Sequence, residues 1–331
     1  MLIMQQSHVA STVRCTYIMA ANAVPKLWRI GGVFVTTMAP FYIYRRAYCS
    51  STVTNKTPSL VLYQYQTCPF CCKTRAFLNY YGLQYQIVEV NPLSRKEIKF
   101  SKYKKVPLLK AGDVQVNDSS LITSVLRSSM ILGKPVSRVL NMYPEIEFYD
   151  ATNKTQVKER ANKYFLMYGE RSTPPLNELR EEREWREWVD THLVHTFSPN
   201  IYRTLRESWQ AFQYISEAGN FNPFERAAAR YFGTIMMYFI GKRIKKKYRL
   251  KEDVRQSLYD ECNKWTAAIG KNRRYMGGDK PNLADLSVYG ALTALEGLDT
   301  FDDMMKNTSI KKWYGSMKQC VDGHEGATDK Q

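Results

Sequence analysis

Leu60-Val61-Leu62-Tyr63-Gln64-Tyr65, followed after Gln66 by Thr67-Cys68-Pro69-Phe70-Cys71-Cys72-Lys73, decides how this chain folds. The first run is short, apolar and aromatic, the composition of a strand. From residue 73 to about residue 81 the spacing turns helical. Two cysteines separated by two residues therefore stand at a strand-to-helix turn. A cysteine placed there sits among backbone N–H groups that have no partner inside the helix, at the positive end of the helix dipole. Both favour thiolate over thiol and draw the pKa from about 8.5 into roughly the 3.5–7.5 range. Cys68 takes that exposed first position. Cys71 lies one turn further in, is expected to be more buried, and suits a resolving or supporting role. Pro69, at the first helical position, gives up only an N–H that had no partner.

Strand, C-x-x-C and helix in this order make a thioredoxin-like thiol site. Half of a zinc site is one competitor, and it needs a second C-x-x-C or a histidine pair at suitable spacing. The remaining cysteines, Cys15, Cys49, Cys72, Cys262 and Cys320, form no such pair. His192 and His195 stand three apart on a helix without an evident third ligand, which favours ordinary packing, so no metal site is expected. An inert core pair is the other competitor, and a Cys-Pro opening a helix is an unusual place for one.

At 331 residues the chain exceeds one ordinary domain and is expected to hold two. Hydrophobic residues at 44% allow a proper core, and aromatic residues at 13% argue against disorder. Seven cysteines, odd in number and irregular in spacing, suit free thiols in a reducing compartment better than a secreted disulfide framework. The net charge of +17 points to a negatively charged neighbour such as anionic lipid or an anionic substrate. That charge is clumped at residues 95–105 and 242–251. No nucleic-acid motif accompanies either cluster, so nucleic acid is not an expected partner. A solvated helix face and a membrane-surface contact are equally open readings of the clusters.

Residues 1–58 read as a leader, a short hydrophobic segment and a linker. Residues 30–44 are uncharged, and at ~1.5 Å per residue they fall short of a ~30 Å hydrocarbon core, yet they are the best membrane candidate in the chain. Arg45 and Arg46 directly after them would keep the next domain on the cytoplasmic side. A thioredoxin-like domain is expected over residues 59–135, in the order β-α-β-α-β-β-α. Its second helix is a short basic one over residues 94–100 with Ser94 as N-cap. Val106-Pro107 opens its third strand, where such folds commonly place a cis proline, although trans is the general prior. Asn117-Asp118-Ser119-Ser120 caps its last helix. A connecting insert with some local helix is expected over residues 136–177, and an all-helical domain over residues 178–318. Trp185, Trp188, Tyr202 and Trp209 read as helix packing. Residues 232–240 are strongly apolar, too short to span a membrane, and read as bundle core.

A thioredoxin-like domain followed by a helical one is the architecture of glutathione transferases and their relatives. Leu62-Tyr63-Gln64-Tyr65-Gln66-Thr67-Cys68-Pro69-Phe70-Cys71 resembles the membrane-associated type-2 prostaglandin E synthases. So do Glu89-Val90-Asn91-Pro92, Lys105-Val106-Pro107, Asn117-Asp118-Ser119-Ser120, Ser198-Pro199-Asn200-Ile201-Tyr202 and Met276-Gly277-Gly278-Asp279-Lys280-Pro281-Asn282-Leu283-Ala284-Asp285-Leu286. The likeness runs from about residue 59 to residue 314. It implies an α+β glutaredoxin-like domain joined to an all-helical domain like the C-terminal domain of glutathione transferases.

The resemblance further implies isomerisation of prostaglandin H2, an anionic lipid endoperoxide, to prostaglandin E2. Cys68 would be the catalytic thiol, Tyr65 its neighbour, and Cys71 less essential. Glutathione would map to Val106 and the adjoining Pro107, and to Asp118 and Ser119. A helix N-terminus at Ser119 offers N–H groups to the γ-glutamyl carboxylate, and Asp118 can take its ammonium. Haem occupying the site with glutathione, a homodimer, and a Golgi membrane address with a cytosolic catalytic domain are also implied, while the leader would tolerate mitochondria. Two other functions fit the same residues. One is a glutathione-dependent thiol–disulfide oxidoreductase cycling a Cys68–Cys71 disulfide, and the other is a non-catalytic haem or glutathione carrier at a membrane.

Overall fold

The turn at Cys68 joins the central strand of a mixed sheet to the helix that covers it. The structure is a computed structural model that describes residues 59–150 and 155–330, so the leader and the membrane candidate at residues 30–44 lie outside the described residues. β1 (Leu60–Gln64) buries alternate residues, and α1 (Pro69–Tyr80) crosses over to β2 (Tyr85–Glu89), which lies parallel to β1. Gly82, at φ +55°, lets the chain reverse after α1. β3 (Leu108–Ala111) and β4 (Val114–Asn117) add antiparallel, giving the order β2-β1-β3-β4. The Val106–Pro107 bond that opens β3 is cis. α2 (Ser119–Leu132) follows, capped by Asp118, whose Oδ1 accepts from the N–H groups of Ser120 at 2.8 Å and Leu121 at 3.2 Å.

Two segments of this half depart from expectation. Residues 94–100 form only a 3-10 turn over Lys96–Ile98, and Ser94 is not its cap. Asn91 holds the chain instead: its Oδ1 accepts from the N–H groups of Leu93 and Ser94, fixing a tight turn where a helix would have to start. After the short α3 (Val136–Leu140), the insert contains an antiparallel ribbon, β5 (Glu145–Asp150) and β6 (Thr155–Arg160), rather than only local helix. Arg160 anchors the ribbon. Its guanidinium donates to the carbonyls of Leu140 and Tyr143 at 3.1 and 2.6 Å and to the Glu145 carboxylate at 2.7 Å.

From Leu176 onward the chain is helical. α4 (Leu176–Trp188) and α5 (Val194–Ile201) are joined by a π-helical turn over Val189–Leu193. α6 (Leu205–Ala218) follows; α7 (Pro223–Ala228) and α8 (Thr234–Lys247) are joined by a second π turn over Ala229–Gly233. α9 (Val254–Ile269), α10 (Leu283–Thr293), α11 (Asp299–Asn307) and α12 (Ile310–Asp322) complete the layer. α10 packs directly on α1. A Cβ on Gly290 would fall 2.6 Å from the Cα of Lys73, so only glycine permits this approach. Trp185, Trp188, Trp265 and Trp313 touch ring to ring within the core, as helix packing required. The apolar residues 232–240 do not fill the bundle: Phe232 is 73% exposed and Phe239 62%.

Asp285 ties α10 in place. Its carboxylate accepts from the N–H groups of Met276, Gly277 and Asn282 at 3.0–3.1 Å and from the Trp313 indole at 3.1 Å. Asp285→Ala strands these buried donors and should cost about 2–3 kcal/mol, read as a lowered denaturant midpoint at unchanged slope.

Candidate active site

Cys68 is the N-cap of α1, with extended backbone at φ −79° and ψ 124°. Its N–H donates to the Tyr65 carbonyl at 3.1 Å, which closes the turn after β1. The thiol is half-buried. Its pKa is drawn down to about 7, chiefly by a hydrogen bond from the Cys71 thiol. Burial opposes this; the backbone N–H groups of Cys71 and Phe70 and the charge of Arg75 add to it. Cys71 is fully buried. Its own thiol is pushed well up, by burial first and then by the Cys68 thiolate to which it donates. Near neutral pH the two sulfurs therefore differ in kind, one a partly ionised nucleophile and the other a protonated donor. Of the two roles the sequence allows Cys71, its burial and raised pKa favour support.

Support continues below the turn. Arg75, one turn further along α1, donates to Gln64 Oε1 at 2.6 Å, to the Gln66 carbonyl at 2.8 Å and to Cys72 Sγ at 3.0 Å. Glu89 on β2 accepts from the Gln66 N–H at 2.6 Å and from Gln64 Nε2 at 3.1 Å. The loop that carries Cys68 is thus laced to β1, β2 and α1. Tyr65, like Cys68, packs on the buried cluster of Cys71, Val90, Ile98, Val106 and Leu108. Burial raises the Tyr65 phenol, partly offset by Arg95, so it stays protonated at neutral pH.

A cleft of about 690 Å³, a size suited to a tripeptide or a small lipid, lies next to this cluster and shares Tyr103 with it, while Cys68 itself is not part of the cleft lining. Phe70, Tyr103, Pro107, Asp118, Ser119 and Lys163 are among its lining. Tyr103 also packs on the cluster beneath Cys68, so it joins the thiol to the cleft. The Asp118 cap uses Oδ1, while its Oδ2 accepts from Lys163 at 3.1 Å. Among the described residues no acceptor meets the Ser119 N–H, which is left to the cleft. Cys68, Tyr65, Cys71 and Val106 belong to the apolar cluster, whereas Pro107, Asp118 and Ser119 line the cleft; the two are linked by Tyr103 and by the Val106–Pro107 bond.

Tyr103, Arg75 and Lys163 escape sequence reasoning. Tyr103 lies in a lysine-rich tract that reads as a charge cluster, and Lys163 sits in an insert without a motif. Arg75 had one local signal, its place one helical turn after Cys72. The histidines stay apart from this chemistry. His195 stacks on Tyr248 with ring centroids 3.9 Å apart, and the described residues contain no group of three potential metal ligands.

Cys71→Ala removes the principal donor to the thiolate. The Cys68 titration midpoint should then move upward from about 7. The pH dependence of iodoacetamide alkylation reads that shift directly, and an unmoved midpoint would contradict the assigned hydrogen bond.

Residues 62–129 match the family described as glutathione S-transferase, N-terminal domain. Prostaglandin E synthase 2 of Mus musculus is 48% identical over 271 residues, 80% of this chain and 70% of that protein. Prostaglandin E synthase 2 of Danio rerio is 50% identical over 268 residues, 79% of this chain and 71% of that protein. A solved glutathione S-transferase from Sinorhizobium meliloti 1021 aligns at a TM-score of 0.48 with 15% identity, covering 80% of this chain and 91% of that one.

Proposed function

We propose, from the premise that this chain belongs to the prostaglandin E synthase 2 family, that it isomerises prostaglandin H2 to prostaglandin E2 through the thiolate of Cys68. The observation that carries the mechanism is Cys68 at the start of α1 with the protonated Cys71 thiol donating to it. The thiolate attacks one oxygen of the weak O–O bond. An S–O bond forms, the O–O bond breaks, and the second oxygen leaves as an alkoxide that takes a proton from the neighbouring Tyr65 phenol. The Tyr65 phenolate then takes the proton from the carbon bearing the sulfur-bound oxygen, which makes the ketone, breaks the S–O bond, expels the Cys68 thiolate and restores the phenol. The proton count closes and no electrons are consumed, so a second cysteine is not required. Dithiol turnover would need Cys71 as a nucleophile, and burial holds that thiol protonated.

The cleft suits glutathione as a companion. The Ser119 N–H at the start of α2 meets the γ-glutamyl carboxylate, Asp118 its ammonium, and the backbone of Val106 before the cis Pro107 the cysteinyl portion. Lys102 and Lys105 on the rim favour the remaining carboxylate. Haem fits less well. The lining holds no histidine, methionine or cysteine to ligate iron, and burial pushes its one phenol, Tyr103, up and away from the phenolate that would, so no step is routed through it. Residues 30–44 would hold the enzyme at a membrane, with the Golgi as the address and a dimer as the assembly implied by the family resemblance. Product analysis with prostaglandin H2, with and without glutathione, tests the activity. Prostaglandin E2 above the spontaneous yield supports the assignment, and a yield equal to the buffer control contradicts it.

A further inference from the structure

The helix running from α7 through the π turn into α8 shows its large apolar residues to solvent and its small ones to the bundle. A Cβ on Gly233 would fall 2.3 Å from the Phe212 ring, and one on Gly241 3.4 Å from Tyr202. Thr234 and Gly241 are buried. Phe224, Tyr231, Phe232, Ile235, Met236 and Phe239 are exposed, Phe224 to 83%. Positions 231, 235 and 239, with 232 and 236 beside them, recur at helical spacing and form one stripe. The Tyr231 ring rests on Trp209 at 5.3 Å, adding an amphipathic pair to the stripe's edge.

The same side of the helix then becomes cationic. Lys242, Arg243, Lys246 and Lys247 follow in the last two turns, and all four are exposed. Glu225 is the only acidic residue in 223–250, and it is held by Asn91 Nδ2 at 2.8 Å and by the Asn222 N–H at 2.9 Å. Among the described residues no helix is long and apolar enough to cross a membrane. The 14 residues of α8 span only about 21 Å. An apolar aromatic stripe continued by cations matches the boundary zone of an anionic bilayer, where acyl chains and phosphates meet. A second copy meeting this face with its own would bring more cations and no negative charge.

We propose that this face docks in the plane of an anionic phospholipid surface. The aromatic stripe enters the headgroup–acyl boundary, and Lys242, Arg243, Lys246 and Lys247 take lipid phosphates. The contact is separate from residues 30–44 and from the thiol chemistry.

Hydroxyl-radical footprinting of the full chain tests it. Vesicles of phosphatidylcholine with about 30% phosphatidylserine should lower oxidation of Phe232, Met236 and Phe239 at least about threefold, and raised salt should reverse much of this. Pure phosphatidylcholine should protect far less, and exposed Tyr149 and Leu176 should keep their oxidation. A stripe that stays fully oxidisable on vesicle-bound protein overturns the proposal. So does protection that needs no lipid and grows with protein concentration, the mark of a second copy. A Lys242→Gln/Arg243→Gln/Lys246→Gln/Lys247→Gln chain should keep the Cys68 midpoint near 7 and lose the salt-sensitive part of vesicle binding about tenfold; retention of that part also overturns it.

Discussion

Conversion of prostaglandin H2 by a Cys68→Ser chain is expected to fall by about 10³-fold, equivalent to ~4 kcal/mol of transition-state stabilisation. A serine hydroxyl keeps the size of the thiol, the turn and the N–H donors of Phe70 and Cys71. It does not supply an anion near neutral pH, and oxygen is a poor nucleophile toward a peroxide oxygen. The loss should therefore be in turnover, with the fold and glutathione affinity little changed, because Asp118, Ser119 and Val106 are untouched. A matched fall in Cys71→Ser would mean that both sulfurs react, which the dithiol alternative requires.

The largest stability effect is expected at Lys73 and Asp190. Lys73 on α1 is 1% exposed and forms an ion pair with Asp190 in the π turn between α4 and α5. Ser120 on α2 serves both, accepting from Lys73 Nζ at 3.1 Å and donating to Asp190 Oδ2 at 2.7 Å, and the Tyr164 hydroxyl donates to the same oxygen at 3.1 Å. The group pins the helix that carries Cys68 to α2 and to the helical layer. Asp190→Ala leaves a buried ammonium without its counter-charge and should cost about 3–5 kcal/mol, a fall in Tm on the order of 10 °C. The paired Lys73→Met/Asp190→Leu replacement should recover much of that loss.

The same pair sets an acid limit. Burial works against the Asp190 carboxylate, but Lys73, Ser120 and Lys163 outweigh it and hold the pKa below the ordinary value. The stabilisation is thus complete above the unfolded pKa of about 3.9 and is lost as pH falls through the lower folded value. Removing Asp190 should flatten stability in that acid range while leaving the neutral-to-alkaline profile parallel to the native one.

What could be seen in the sequence was local. The Cys68-Pro69 turn, the capping of α2 by Asp118 and the strand after Val106-Pro107 each rest on residues within one turn of each other. Their chemistry dictates the backbone. Long-range pairing could not be seen: Lys73 and Asp190 are 117 residues apart, and nothing near either announces the other. The β5–β6 ribbon was hidden because β6 is almost wholly polar and charged, with Val157 its one apolar residue, and the alternation of β5 over Glu145–Phe148 is too short to stand out. Residues 232–240 show a different limit. Helical spacing says which side chains share a face, not which face points inward, and Gly233 with Gly241 turned the small face toward the core. Tyr103 entered the site through the path of a loop, which no periodicity describes.

The most direct test of the account is the pH dependence of prostaglandin H2 isomerisation, measured beside the ultraviolet thiolate titration of Cys68 in the same preparation. The rate should rise with pH through the Cys68 midpoint near 7, level off above it, and disappear in Cys68→Ser. A rate that is flat across that midpoint, or one that survives in Cys68→Ser, would contradict a single working thiolate.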